Sequence, residues 1–97
     1  MRIFLINLDR SPQRLAFMTA QLNALGLRAE RLPAVDGKQI DLTPYAACGM
    51  NPGEIGCFLS HRMAWQTIVK TGEPYGLDLE DDVRISPRIR DLLSDLA

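Results

Sequence analysis

Tyr75-Gly76-Leu77-Asp78-Leu79-Glu80-Asp81-Asp82-Val83 is an apolar run that ends in three consecutive acids. Read as a strand, it alternates faces, so Glu80 and Asp82 project to one side roughly 7 Å apart while Asp81 projects to the other. Two like charges on one face cost free energy unless something positive sits between them. Hard oxygen ligands at the end of an α/β strand suit Mg²⁺ or Mn²⁺ holding a phosphate. The plainer alternative is a solvated acidic turn, since short acidic triplets arise often by accident. Asp78 shares the face of Glu80 and Asp82, which predicts either an Arg or Lys partner for it or a face open to water.

Upstream of this strand, Asn51-Pro52-Gly53-Glu54 supplies a capping residue, a first-turn proline and an acid three positions after the cap, a strong helix start. Ile55, Phe58, Leu59, Met63, Trp65, Ile68 and Val69 form a broad apolar face, with Trp65 expected in the core, and Gly72 and Pro74 stop the helix. Gly53 and Gly56 each cost about 1 kcal/mol relative to alanine inside a helix, so they predict close approach to the sheet or to a ligand. Lys38 to Met50 shows no period and reads as a connecting loop. Leu27 to Leu32 alternates as a second strand, broken by Pro33-Ala34-Val35-Asp36-Gly37. Before it, Ser11 as cap, Pro12 in the first turn, Leu15, Met18, Leu22 and Leu25 at helical spacing and Gly26 as stop predict another helix. Arg2 to Leu8 is almost continuously apolar, as a parallel strand covered on both faces must be. After the acids, Ser86-Pro87 starts a last helix carrying Ile89, Leu92, Leu93 and Leu96.

The resulting β-α-β-α-β-α order with short connections predicts an α/β fold: a three-layer parallel sheet in spatial order 2-1-3, with residues 1–97 forming a single domain. In such sheets ligands bind outside the carboxyl ends of the strands. Those ends carry Asn7-Leu8-Asp9-Arg10, Asp36-Gly37 and Glu80-Asp81-Asp82, three polar clusters that only the fold brings to one rim.

Composition narrows the classes. Of 97 residues, 46% are hydrophobic and 24% charged, an ordinary globular balance, and 11 Lys and Arg against 12 Asp and Glu leave a net charge of -1. That balance excludes nucleic acid as a partner bound over the whole surface, which requires a net basic face. The N-terminal apolar stretch ends by Leu8, too short for a signal segment or a spanning helix. The expected location is therefore cytoplasmic, with peripheral association at the inner face of a membrane left open, although no basic amphipathic helix is present to dock there. Cys48 and Cys57 are expected as buried or free thiols rather than a disulfide.

Four blocks in order carry a family resemblance: Ile6-Asn7-Leu8-Asp9-Arg10 with Arg14, then Ala34-Val35-Asp36-Gly37, then Gly53-Glu54-Ile55-Gly56-Cys57-Phe58-Leu59-Ser60-His61 with Trp65, then Leu79-Glu80-Asp81-Asp82-Val83. Together they resemble glycosyltransferase family 25, which includes bacterial lipooligosaccharide galactosyltransferases and the related collagen galactosyltransferases. The resemblance implies the N-terminal, donor-binding half of a GT-A (Rossmann-like) nucleotide-sugar transferase fold. It further implies a UDP-sugar donor, galactose first among the sugars, a lipooligosaccharide or other surface-glycan acceptor, and a divalent metal cofactor, Mn²⁺ with Mg²⁺ as the alternative.

Carried over by position, Asp82 ligates the metal and Glu80 joins it through a metal-bound water or reaches the ribose. Asp81 is structural or touches ribose. Asn7, Asp9 and Arg10 cradle the uridine, Asp36 borders the base or ribose, and His61 contacts the donor or supports the acidic strand end. Arg10 and Arg14 are phosphate partners or surface charges. No residue here corresponds to the general base, which in the family lies in a second half together with the acceptor site, so the isolated chain is expected to be incomplete. Unpaired at its outer side, the third strand is also expected to offer an edge for homo-oligomer formation. The competing reading is a non-catalytic remnant or interaction domain that keeps the fold without activity. A phosphoacceptor domain of the response-regulator kind fits poorly, because its acids gather after the first strand.

Overall fold

The N-terminal apolar run becomes the central strand of the sheet. In the structure, a computed structural model that describes residues 1–96, β1 (Arg2–Asn7) is flanked in parallel by β2 (Glu30–Pro33) and β3 (Gly76–Leu79), in the order β2-β1-β3. Phe4 lies opposite Glu30 and Asp78, and Leu5 opposite Arg31 and Leu79. Ile3 to Asn7 are all buried, and each of the four apolar side chains contributes about 2 kcal/mol by leaving water. Burial of both strand faces requires a layer on each. Leu5 faces Leu15 and Leu22 of α1 (Pro12–Ala24), whereas Ile6 faces Cys57, Ser60 and His61 of α2 (Pro52–Thr71). The expected three-layer α/β architecture and strand order are both present.

The helix ends show where local signals decide and where they do not. At α2 the Asn51 side chain accepts from the Glu54 N–H at 2.9 Å, and Gly72 closes the helix in the left-handed region at φ 73°. At α1, Ser11 occupies the cap position but its side chain makes no capping bond. Gly26, at φ 65°, ends that helix, and the Leu27 N–H still reaches back to the Leu22 carbonyl at 2.9 Å. That last bond explains a shifted boundary. Leu27 to Ala29, expected in a strand, belong to the helix exit, and β2 begins only where Glu30 meets Phe4. Similarly, α3 (Ile89–Leu96) starts two residues after Pro87, because Ser86 first closes a turn onto Arg88 and Ile89. Within the expected loop, Thr43–Tyr45 forms a single 3-10 turn.

Trp65 corrects the sequence reading: it is 52% exposed rather than in the core. α2 buries a narrow stripe of Ile55, Leu59 and Ala64, leaving Phe58, Trp65 and Val69 outside. Among the described residues, no helix is long and apolar enough to cross a membrane.

The two helical glycines separate cleanly. A Cβ on Gly56 would lie 2.7 Å from the Val35 carbonyl oxygen and 2.8 Å from the Gly37 nitrogen, and one on Gly37 would collide with the Pro52 carbonyl. At Gly56, helix α2 is thus seated directly on the turn after β2, while the rest of its buried stripe packs on the sheet. Ser60, buried in the same contact, accepts from the Val35 N–H at 2.8 Å and donates to the Gly56 carbonyl at 2.7 Å. Gly53 meets nothing closer than the Asn51 Oδ1 at 3.4 Å. Gly56→Ala is therefore expected to destabilise by about 1–3 kcal/mol through backbone displacement. Gly53→Ala should be neutral or stabilise by up to about 1 kcal/mol. Urea denaturation midpoints for the two variants check this contrast.

Candidate functional site

Asn7 closes β1 at 1% exposure, and its polar atoms are all engaged. Its Nδ2 donates to the Ser11 carbonyl at 3.0 Å and to Asp81 Oδ2 at 2.8 Å, while Oδ1 accepts from Arg31 Nε at 3.0 Å. Asn7, expected to help cradle a uridine, lies beneath the rim with its side chain committed to this network. Asp81 is 9% exposed, turned toward α1, and meets Arg14 Nη1 at 3.6 Å. Arg31 also donates to the Asn7 carbonyl at 3.0 Å and to Asp9 Oδ1 at 2.7 Å. Sequence reasoning missed Arg31. The available signal was a guanidinium within a strand beside the central one, where a charge stays only if it finds acceptors.

Above this network the three strand ends and the α2 N-terminus enclose an open cleft of about 150 Å³. Arg10, Asp36, Gly53, Cys57, His61 and Glu80 contribute to its walls. Sites that hold a whole drug-sized ligand run to roughly 300–1,000 Å³, so this cleft takes one ring or phosphate group of something larger. Arg10 Nε donates to Asp36 Oδ2 at 2.8 Å, and the Lys38 N–H donates to Oδ1 at 3.1 Å. The Arg10 guanidinium first, then that N–H, hold the Asp36 carboxyl below its ordinary range. Asp9 stands apart from the cleft wall, with its side chain 84% exposed.

The acidic strand end is arranged differently from the sequence expectation. β3 ends at Leu79; Glu80 and Asp81 still point to opposite faces, and Asp82 lies exposed on the turn beyond. The carboxylates that converge are Asp78 and Glu80, and the group between them is neither Arg nor Lys but the imidazole of His61. Its Nδ1 lies 2.7 Å from Asp78 Oδ2 and its Nε2 3.1 Å from Glu80 Oε1. Burial alone would lower the imidazole's pKa, but Asp78 and Glu80 together outweigh it and leave His61 raised above the ordinary 6.5. His61 in turn, followed by the Cys57 thiol at 3.4 Å, holds Glu80 below its ordinary value. Burial, then the Glu80 charge, pushes the Cys57 thiol up. Both cysteines are free and exposed, in keeping with the absence of a disulfide.

The family model described as "Glycosyltransferase family 25 (LPS biosynthesis protein)" matches residues 1–97. A protein described as "Glycosyltransferase 25 family member" from Drosophila melanogaster is 39% identical over 104 residues, covering 92% of this chain and 17% of that protein. One of the same description from Aedes aegypti is 38% identical over 112 residues, covering 96% of this chain and 18% of its own length. "Inactive glycosyltransferase 25 family member 3" from Mus musculus is 33% identical over 103 residues, covering 91% and 17%. The chain thus spans less than a fifth of the length of these curated relatives.

The His61 cluster has a defined pH signature. A raised imidazole pKa contributes stability that is complete below the ordinary 6.5 and is lost as pH rises through the folded-state value. A lowered Glu80 contributes above the ordinary 4.5 and loses its share as pH falls through the folded-state value. Between those two ordinary values both contributions are intact. NMR titration of His61, the one histidine of the chain, should give a midpoint above 6.5, and Asp78→Asn should move it down.

Proposed function

The chain belongs to glycosyltransferase family 25, and on that premise we propose that its cleft binds the nucleoside-diphosphate end of a UDP-sugar for sugar transfer. The observation that carries the reading is the convergence of residues from three strand ends and one helix N-terminus on a single opening: Arg10, Asp36, Gly53, His61 and Glu80. Asp36, fixed by Arg10, borders the base or ribose, and Arg10, 54% exposed, is accessible to phosphate. The first turn of α2 at Gly53 turns the positive end of the helix dipole toward the same opening.

A divalent ion fits the donor set that remains. Asp82 is an exposed carboxylate, and Glu80 is about half exposed with its bonds made through Oε1. Few protein oxygens with room for water and phosphate is the environment in which Mg²⁺ or Mn²⁺ is commonly held. Bound there, the ion would supply positive charge to the departing diphosphate without proton transfer. His61 keeps Glu80 ionised for that role. Galactose is the proposed sugar and a lipooligosaccharide or other surface glycan the proposed acceptor; no residue of the cleft is assigned as the acceptor's base.

A second reading, a domain that retains the fold without transfer activity, is favoured by the mouse relative whose name calls it inactive. Calorimetric titration of UDP into the chain separates the two. Mn²⁺ is expected to strengthen binding at least about tenfold, or 1.4 kcal/mol, and Asp82→Ala to remove that gain. Absence of binding with and without Mn²⁺ would establish the remnant instead.

Among the described residues β3 pairs only with β1, and the proposal extends to self-association through its outer edge. Light scattering should then show a dimer that dissociates on dilution; monomer alone at high concentration counts against it.

A further inference from the structure

Among the described residues, one group of cysteine, histidine and acidic side chains brings three ligand atoms together. Cys57, His61 and Glu80 each offer one, all within 4.8 Å of one another. Cys57 and His61 are four residues apart on α2, so the helix itself presents them on one face a single turn apart. Glu80 arrives from the end of β3, on the face of the sheet that carries Asp78. We propose that these three side chains form a binding site for Zn²⁺, with the fourth coordination position open to the cleft.

The spacing supports an ion of that size. Tetrahedral Zn²⁺ with bonds of 2.0–2.3 Å holds its ligand atoms roughly 3.3–3.7 Å apart. Here Cys57 Sγ lies 3.4 Å from Glu80 Oε1, and His61 Nε2 lies 3.1 Å from the same oxygen. The third pair, between Cys57 and His61, lies within 4.8 Å, and side-chain rotation of Cys57 and Glu80 closes the set around the ion. Asp78 completes the arrangement from behind. Its Oδ2, 2.7 Å from Nδ1, accepts that ring proton and leaves the Nε2 lone pair for the ion, the carboxylate–histidine relay that commonly backs a zinc ligand. Loading displaces the thiol proton of Cys57 and the Nε2 proton of His61 to solvent, and Glu80 is already ionised.

The ligand chemistry also selects the metal. A thiolate and an imidazole favour a borderline ion, whereas Mg²⁺ and Mn²⁺ favour the oxygens on the Asp82 side. The two sites share Glu80 and differ in everything else. Cys57 is exposed and lines the cleft, so an ion reaches it without opening the fold.

Titration of Co²⁺ into the reduced chain tests the proposal without nucleotide, so its outcome is separate from that of the UDP experiment. One equivalent should produce the near-ultraviolet thiolate-to-cobalt absorption together with visible bands of tetrahedral intensity, and Zn²⁺ should displace both. Cys57→Ser should abolish the thiolate absorption, and His61→Gln should weaken Zn²⁺ binding at least about tenfold. Asp78→Asn should weaken it by about 10–100-fold. Cys48→Ser should bind Zn²⁺ as the parent chain does. A parent-chain Co²⁺ complex lacking thiolate absorption overturns the assignment whatever the variants do, and so does an unchanged spectrum in Cys57→Ser.

Discussion

The hydrogen bond from Asn7 to Asp81 spans 74 residues of sequence and 2.8 Å of space, and the geometry of the rim depends on it. β1 and β3 could pair through their backbones in any build of this sheet, yet nothing in that ladder would stop the acidic end of β3 from splaying into water. A side-chain amide at Asn7 solves three problems at once, because it donates twice and accepts through the same planar group. One donation caps the exit of β1 at Ser11, the other holds Asp81, and the oxygen receives Arg31 from β2. A carboxylate as buried as Asp81 is tolerable only with such partners. With Asp81 fixed inward, Glu80 is forced to the opposite face.

That division sorts the acids by task. Asp81 faces α1 and joins Arg14 in a structural network, Glu80 and Asp78 face α2 and share His61, and Asp82 is left to solvent. Three consecutive carboxylates would repel one another if they stood together. Placed in three environments, they give a buried charge, a carboxylate bridged to Asp78 through His61 and an exposed carboxylate within one short segment.

Much of this was legible in the residues. An uninterrupted apolar run such as Ile3 to Ile6 has few homes other than a doubly covered strand, and the Asn51 cap with its following proline and Gly72 state the limits of α2 directly. Signals that depend on neighbours were not legible. The start of β2 was set by the Leu27 N–H reaching back into α1, a bond that alternation of side chains does not reveal. Trp65 looked like core because the face of α2 was read as broad, whereas only a stripe of that helix meets the sheet. At the site, the rim clusters were visible as strand ends, but Arg31 and the Asp78–His61 contact arise from residues distant in sequence, and each looked unremarkable by itself.

The placement of β1 has a bearing on how the chain is made. The strand that ends up at the centre of these three is synthesised before its two partners, which follow 23 residues or more and 69 residues or more behind it, with Glu30 and Gly76 as their first positions against Asn7. Until Leu79 is available, one hydrogen-bonding edge of the most apolar segment stays open. Pairings so distant in sequence form slowly, because a large loop must close before the contact stabilises anything. During that interval Ile3 to Ile6 are the residues of this sheet most exposed to mistaken association.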